Sequence, residues 1–201
     1  MLLLTPRRRA LALVTLAAAG ALGLGACSSS PSNSSGVAKV SHNTGSGPNA
    51  TTTTTNAAGQ VTTIGTIPTA DRSPAGTAGQ APTVTVPGGA PPSGLQSADL
   101  IVGTGREAAP GDSVTVQYVL ATYSAKQVIQ SSWTSQPFTF TLGQGQVIPG
   151  WDQGVPGMHA GGRRELIIPP KLGYGANPPQ GAQGIAANDT LVFVIDLLKV
   201  N

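Results

Sequence analysis

The 201-residue sequence predicts an α+β protein in which an antiparallel β-sheet curls around one short α-helix, preceded by a disordered tether. From residue 81 to 201, short runs of alternating apolar residues are separated by turn residues, a pattern typical of strands. Within that region only one segment, about Ile148 to Gly154, suits a helix. From residue 28 to about residue 80 the chain is rich in small polar residues and nearly uncharged, which favours disorder.

Residues 1–27 have the layout of a signal peptide. Arg7–Arg9 supply the positive start, and the apolar stretch Ala10–Leu24 is short for a membrane span, which needs about 20 residues. Leu24-Gly-Ala-Cys27 resembles the bacterial lipobox, so we expect lipidation of Cys27 and anchoring to the outer face of the bacterial cytoplasmic membrane. The alternative is that Cys27 is a free thiol, or that a cysteine stands at this position of a secretory signal by chance. Because Cys27 is the only cysteine, no internal disulfide framework is expected.

Residues 28–80 are expected to form a flexible tether rich in Ser, Thr, Gly and Pro. The segment includes an unbroken threonine run, Thr51–Thr55, and too few apolar residues to offset the entropy of ordering. Gln60–Ile67 has some β character and could pair transiently. A solvated spacer is the favoured interpretation, and attachment of sugars to the threonines stays open.

The folded domain is expected over residues 81–201. Its clearest alternation places Val114, Val116 and Tyr118 on one face of a strand. Pro149 suits the first position of the helix, where its missing N–H costs nothing. The expected strands are Asp99–Val102, Ser113–Leu120, Gln127–Gln130, Phe138–Leu142, Arg163–Ile168 and Thr190–Val200.

Charge and residue spacing exclude several functional classes. The formal net charge is +3, but without Arg7–Arg9 eight basic residues face eight acidic ones, so no nucleic-acid surface is expected. No Cys or His spacing suggests a metal site, and no cofactor is expected. Ser131-Ser132 lacks a histidine partner for hydrolase chemistry. Arg163–Glu165 is interpreted as a solvated strand edge.

Five motifs in order resemble the FK506-binding-protein (FKBP) family of peptidyl-prolyl cis–trans isomerases. They read GDSVTVQY, PFTFTLG, QVIPGWDQGV, LGYGA and TLVFVIDLL, and the resemblance covers about residues 90–201. Any one motif alone would be weak, but five in the same order at similar spacing are specific. The resemblance implies an FKBP-like fold and an apolar pocket for X-Pro segments.

The resemblance also implies roles for individual residues. The expected catalytic residues are Trp151 as the pocket floor, Tyr174 through its hydroxyl, and Ile148 through its backbone N–H, the last two each meeting a substrate carbonyl. Phe140, which alternates on a strand, is assigned to the core. The other implied substrate-binding residues are Tyr118, Ile129, Gln130, Phe138, Val147, Ile185 and Phe193.

Two departures from the family pattern bear on activity rather than fold. The family's Phe-Asp pair is here Ile129-Gln130, so the acidic side chain thought to polarise the pocket is replaced by a neutral amide. The loop from Ser132 to Pro137 is one residue shorter than usual, and the segment from Asn177 to Ile185 is about two longer.

An X-Pro amide rotates slowly because resonance raises the barrier to about 18–20 kcal/mol. A pocket that excludes water destabilises the planar, charge-separated amide relative to the twisted state, and no proton transfer is needed. The sequence therefore predicts a monomeric isomerase that assists the folding of exported proline-containing polypeptides, with macrolides of the FK506 type as further ligands. One alternative is a non-catalytic or weakly catalytic proline-segment chaperone of the same fold, favoured by Ile129-Gln130. The other is a tethered structural or adhesion lipoprotein.

Overall fold

The computed structural model describes residues 51–55, 61–180 and 182–201. These residues form one sheet, one α-helix and two short 3₁₀ turns, Thr69–Asp71 and Pro170–Leu172. The helix α1 is Pro149–Gly154. The strands are β1 (Thr51–Thr55), β2 (Val61–Thr66), β3 (Gln96–Ile101), β4 (Ser113–Thr122), β5 (Gln127–Ser131), β6 (Phe138–Thr141), β7 (Arg163–Ile168) and β8 (Leu191–Val200).

The strands lie in the order β1-β2-β3-β7-β8-β4-β5, and β6 also pairs with β4. All pairings are antiparallel except that of β2 with β3. β6 pairs with the first half of β4 and β5 with the second half, so β4 and β8 form the centre of the sheet. A mostly antiparallel sheet with one short helix confirms the predicted fold class.

The helix packs closely on β7 because it carries two glycines on the buried side. A Cβ on Gly150 would lie 2.5 Å from Cγ2 of Ile168, and one on Gly154 would lie 2.8 Å from Cδ1 of Leu166. Pro149 occupies the first turn, as predicted. The main core fills the space between the helix and the facing side of the sheet, with Leu166, Ile168 and Trp151 among its buried members.

A second apolar cluster lies on the other face of the sheet. On β7 and β8, Ile167 and Val192 point away from the main core, because successive side chains alternate between the faces of a strand. They pack with Ile67 and Tyr123, and the half-buried side chains of Val84 and Val86 pack against this cluster. Residues 67–90 thus cover the outer face of the sheet.

This covering corrects the predicted boundary between tether and domain. β1 and β2 pair along their whole length, β2 joins β3, and Ile67 is fully buried, so the packed chain begins well before residue 81. The physical reason is that Ile64 packs in the main core and Ile67 packs on the outer face of the sheet, which local composition does not reveal. The rest of the predicted tether, the signal peptide and Cys27 lie outside the described residues.

The interpretation of Arg163–Glu165 as a solvated strand edge is also wrong. Arg163 and Glu165 are almost fully buried beneath the covering segment. Arg163 donates to both carboxylate oxygens of Asp196 at 2.6 and 2.7 Å and to the backbone carbonyls of Ala75 and Gln80. Glu165 accepts hydrogen bonds from the N–H and the hydroxyl of Ser73 at 2.8 and 2.7 Å.

Within the described part of the chain, no helix reaches the length and hydropathy of a membrane span.

Candidate functional site

Trp151 on α1 forms the floor of the candidate site. Its indole is only 4% exposed, and the Nε1–H has no hydrogen-bond partner among the described residues. Phe193 on β8 and Tyr118 on β4 meet the indole edge to face at centroid distances of 5.2 and 5.4 Å. Such T-shaped contacts are a favoured aromatic geometry, so the floor is rigidly built.

The β6 aromatics close one side of this floor. Phe140 and Phe138 stack on each other at 5.4 Å, and their centroids lie 5.5 and 6.3 Å from that of Trp151. Phe140 is buried in the core, as predicted, whereas Phe138 is 40% exposed. Phe138 therefore stands at the rim, where it presents an apolar ring to solvent.

The rim next to the helix is made by Val147 and Ile148, which are half-buried and pack against the core. The Ile148 backbone is extended (φ −60°, ψ 146°), and its carbonyl accepts from the Trp151 N–H at 2.9 Å. Its own N–H has no hydrogen-bond partner among the described residues. A donor held rigidly beside the aromatic floor is therefore available to a ligand.

Asp152 holds this rim and was missed by the sequence analysis. Its carboxylate accepts from the N–H groups of Gly143 and Gly145 at 2.9 and 3.0 Å, which fixes the turn that leads to the helix. The side-chain carbonyl of Gln146 accepts a further hydrogen bond from the Thr141 N–H at 3.0 Å. The signal was an acid in the first turn of a helix after a glycine-rich turn, a position where a carboxylate satisfies free N–H groups.

Tyr174 follows the second 3₁₀ turn and is half-buried against the core. Its hydroxyl makes no hydrogen bond to a described residue. Burial raises the pKa of Tyr174. Burial, followed by the charge of Tyr174, raises the pKa of Tyr118. Both therefore remain neutral donors at ordinary pH.

The last two walls come from β5 and the segment before β8. Leu120 pairs with Gln130 and Ala121 with Val128, so Ile129 is the extra residue of a β-bulge. Ile129 and Ile185 are both half-buried against the core that contains Trp151. Gln130, by contrast, is exposed and makes no side-chain hydrogen bond in the described part of the chain.

The structure thus brings together nine of the predicted pocket residues and leaves Gln130 outside the cluster. They form one apolar cluster, in which Trp151 and Phe193 are buried and the other seven side chains lie around them: Phe138, Tyr118, Val147, Ile148, Tyr174, Ile129 and Ile185. None of these nine side chains carries a charge. The described residues contain no group of three His, Cys, Asp or Glu side chains that could hold a metal. The site can bind an apolar ring and donate hydrogen bonds to flanking carbonyls.

Comparison with known proteins gives concordant matches. A family model described as FKBP-type peptidyl-prolyl cis-trans isomerase matches residues 104–198, which include every predicted pocket residue. The FK506-binding protein of Streptomyces anulatus is 48% identical over 120 residues, which cover 59% of this chain and 96% of that protein. The probable FK506-binding protein of Corynebacterium glutamicum is 42% identical over 119 residues, covering 59% of this chain and 97% of that protein. The crystal structure of AtFKBP13 is 37% identical, with a TM-score of 0.49, and covers 55% of this chain and 96% of that chain.

Proposed function

Because this chain belongs to the FKBP-type peptidyl-prolyl cis–trans isomerases, we propose that it isomerises X-Pro bonds at the apolar cluster around Trp151 and acts on exported polypeptides. Membership of the family confirms the predicted isomerase activity. The location of that activity on this surface, and the class of its substrates, are the proposal.

The aromatic floor would hold the prolyl ring. Trp151, Phe193 and Phe140 are buried together, so a ring seated on them leaves water. Removing water destabilises the planar amide, whose charge separation water solvates well, relative to the twisted transition state. Because Trp151 is only 4% exposed, a prolyl ring would reach the indole only if a covering side chain moved, and the 40% exposed Phe138 is our candidate for that side chain.

The observation that carries the proposal is the pair of unused donors at the rim. The Ile148 N–H and the Tyr174 hydroxyl have no hydrogen-bond partners among the described residues, and both belong to residues packed on the same core. Both groups would donate hydrogen bonds to the substrate without transferring a proton. Their role is to fix the carbonyls on either side of the rotating bond, which favours one twisted geometry.

Tyr174→Phe tests this assignment against a matched control, Tyr123→Phe. Tyr123 is a buried tyrosine of the outer face whose hydroxyl donates to the Gly88 carbonyl at 3.2 Å, so both variants lose one phenol. A lost hydrogen bond of roughly 0.5–1.5 kcal/mol lowers kcat/KM about threefold to tenfold in Tyr174→Phe. Exchange NMR on an X-Pro peptide measures the rate. Equal rates in both variants would remove Tyr174 from the site.

A second candidate function is a proline-segment chaperone with little catalysis. The feature favouring it is Gln130, which is exposed and carries no charge where the family pattern has an acid. This candidate predicts peptide binding with a rate near the uncatalysed one, and Gln130→Asp would then raise the rate. A wild-type rate well above background, unchanged in Gln130→Asp, excludes it.

Macrolides of the FK506 type are proposed ligands of the same apolar cluster. The relative from Streptomyces anulatus is named FK506-binding protein and that from Corynebacterium glutamicum probable FK506-binding protein, and the matches cover 96% and 97% of those proteins. FK506 should compete with the peptide and quench the fluorescence of Trp151. Inhibition that persists in Trp151→Leu would place the macrolide elsewhere.

Export and anchoring are supported by the sequence of residues 1–27. Lipidation at Cys27 would place the isomerase where exported chains emerge, with a membrane-bound, monomeric enzyme as the expected form. The full-length chain should label with a radioactive fatty acid in a bacterial host, and Cys27→Ser should abolish the label. Labelling of Cys27→Ser would overturn the assignment.

A further inference from the structure

The pocket wall that carries Ile185 has few local bonds of its own. We name residues 182–189 the wall segment. Its backbone bonds between its own residues are turn bonds: Ile185 N–H to the Ala182 carbonyl at 3.4 Å, and Asp189 N–H to the Ala186 carbonyl at 3.3 Å. Such bonds shape the segment but do not fix its position relative to Trp151. Its position must come from attachments to other elements.

One attachment joins the end of the wall segment to the turn between β4 and β5. The carboxylate of Asp189 is buried and accepts from the Ser124 N–H at 3.1 Å and from the Ser124 hydroxyl. Asp189 thus caps the turn of the hairpin whose second strand contains Ile129. Charge-assisted bonds of this kind are about twice as strong as neutral ones.

A second contact joins the same hairpin to the middle of the segment. Gly184 has φ +90°, and a Cβ there would lie 2.8 Å from Cγ2 of Ile129. The bulged residue of β5 therefore lies directly on the backbone next to Ile185. The hairpin holds the wall segment on both sides of Ile185, at Gly184 and at Asp189.

The attachment at Asp189 also reaches Tyr174. The neighbouring residue, Asn188, donates its N–H to the Gly175 carbonyl at 2.7 Å. This bond ties the end of the wall segment to the residue that follows Tyr174. Asp189 is therefore next in the chain to Asn188, whose bond to Gly175 links the wall segment to the part of the rim that carries Tyr174.

We propose that Asp189 and Ser124 are positioning residues for isomerisation: their pair docks the wall segment so that Ile185 and Tyr174 meet the substrate together. This inference rests on the proposed function and deepens it. Neither residue touches the prolyl ring. Their effect arises because small misplacements of groups around a reacting bond cost large factors in rate.

The test compares Asp189→Ala with Asp112→Ala in the full chain. Asp112 is a matched control because its carboxylate also accepts one backbone N–H, from Ala109, and one side-chain donor, from Arg106. Asp112 precedes β4, and Ser124 follows β4. The ten residues of this strand therefore separate Asp112 from the Asp189–Ser124 pair by about 33 Å. Both variants should lower Tm by similar amounts.

Activity should separate the two variants. At a temperature where both are folded, we expect kcat/KM to fall about tenfold in Asp189→Ala and less than about twofold in Asp112→Ala. Asp189→Asn, which keeps one acceptor oxygen, should recover part of the loss. Ser124→Ala should add nothing in the Asp189→Ala background, because the pair acts as a unit. Equal rates in Asp189→Ala and the wild type would overturn the inference.

A second measurement distinguishes a failure of the proposed function from a failure of the inference about Asp189. With isoleucine methyl groups labelled, the Ile185 signal should show exchange broadening in Asp189→Ala but not in Asp112→Ala. A wild-type rate equal to background would refute the proposed function, and the methyl signal would still decide the docking. A sharp, unshifted Ile185 signal in Asp189→Ala contradicts the inference whatever the activity.

Discussion

Tyr118 and Tyr174 place two phenol groups at the pocket rim, and their ionisation sets an upper pH limit on the site. Burial raises the pKa of Tyr174, and burial together with the charge of Tyr174 raises that of Tyr118. Both hydroxyls therefore stay protonated beyond the ordinary tyrosine value of about 10. We expect kcat/KM to be constant from about pH 6 to 9.5, since Tyr118 and Tyr174 are the ionisable side chains among the nine residues of the candidate site. A change of kcat/KM with pH within that range would contradict the role of the two hydroxyls as neutral hydrogen-bond donors.

Glu165 gives a pH dependence of stability on the opposite face of the sheet. Burial raises its pKa, partly offset by the hydrogen bonds from Ser73. A carboxyl whose pKa is higher in the folded state contributes stability that is full below the unfolded value, about 4.3, and is lost as pH rises through the folded value. The wild type should therefore gain unfolding free energy relative to Glu165→Gln as pH falls from 7 towards 4.5. Urea unfolding measures the difference, and a constant difference would refute it.

Several residues that the sequence motifs assigned to one site lie in contact in the structure. Trp151, Tyr118 and Phe193 are found in mutual ring contact, because a motif carries the relative placement of residues on α1, β4 and β8. The motif did not reveal that Gln130 is exposed, since that depends on how β5 pairs with β4. Arg163 and Glu165 were misjudged for a similar reason: their burial comes from residues far away in the chain.

Among the elements, the strands were predictable and their registers were not. Alternation identified β7 at both ends and most of β4 and β8, because each strand has a face on the main core. The bulge that places Ile129 in the pocket arises from pairing between β4 and β5, which no single strand encodes. The helix was predicted with Pro149 at its first position, where the structure places it.

The contact between α1 and β7 depends on a glycine, and Gly150→Ala tests it. The added Cβ would lie 2.5 Å from Cγ2 of Ile168, a fully buried side chain, so the helix must move away from the sheet. Overpacking of this kind costs about 1–3 kcal/mol of unfolding free energy. Gly94→Ala is the control, because nothing lies within 4 Å of its Cβ position. Urea unfolding should separate the two, and equal stabilities would show that the contact is loose.

At the scale of the whole molecule, the sheet is covered on both faces. The helix covers one face and carries Trp151, and residues 67–90 cover the other through Ile67 and the bonds of Arg163 and Glu165. The sequence could not predict this second layer, because its composition resembles that of a solvated spacer. Only the matching apolar and charged groups on β7 and β8 give the segment a place to pack.

Ile67→Ala measures whether this second layer is part of the folded protein. Ile67 is fully buried, so its truncation should cost about 2–5 kcal/mol of unfolding free energy. Val102→Ala removes a comparable apolar side chain that is 74% exposed, and should change stability by less than about 0.5 kcal/mol. Both variants should retain wild-type kcat/KM when folded, because Ile67 packs on the face opposite Trp151. If residues 61–80 acted as a free tether, Ile67→Ala would unfold at the same urea concentration as Val102→Ala.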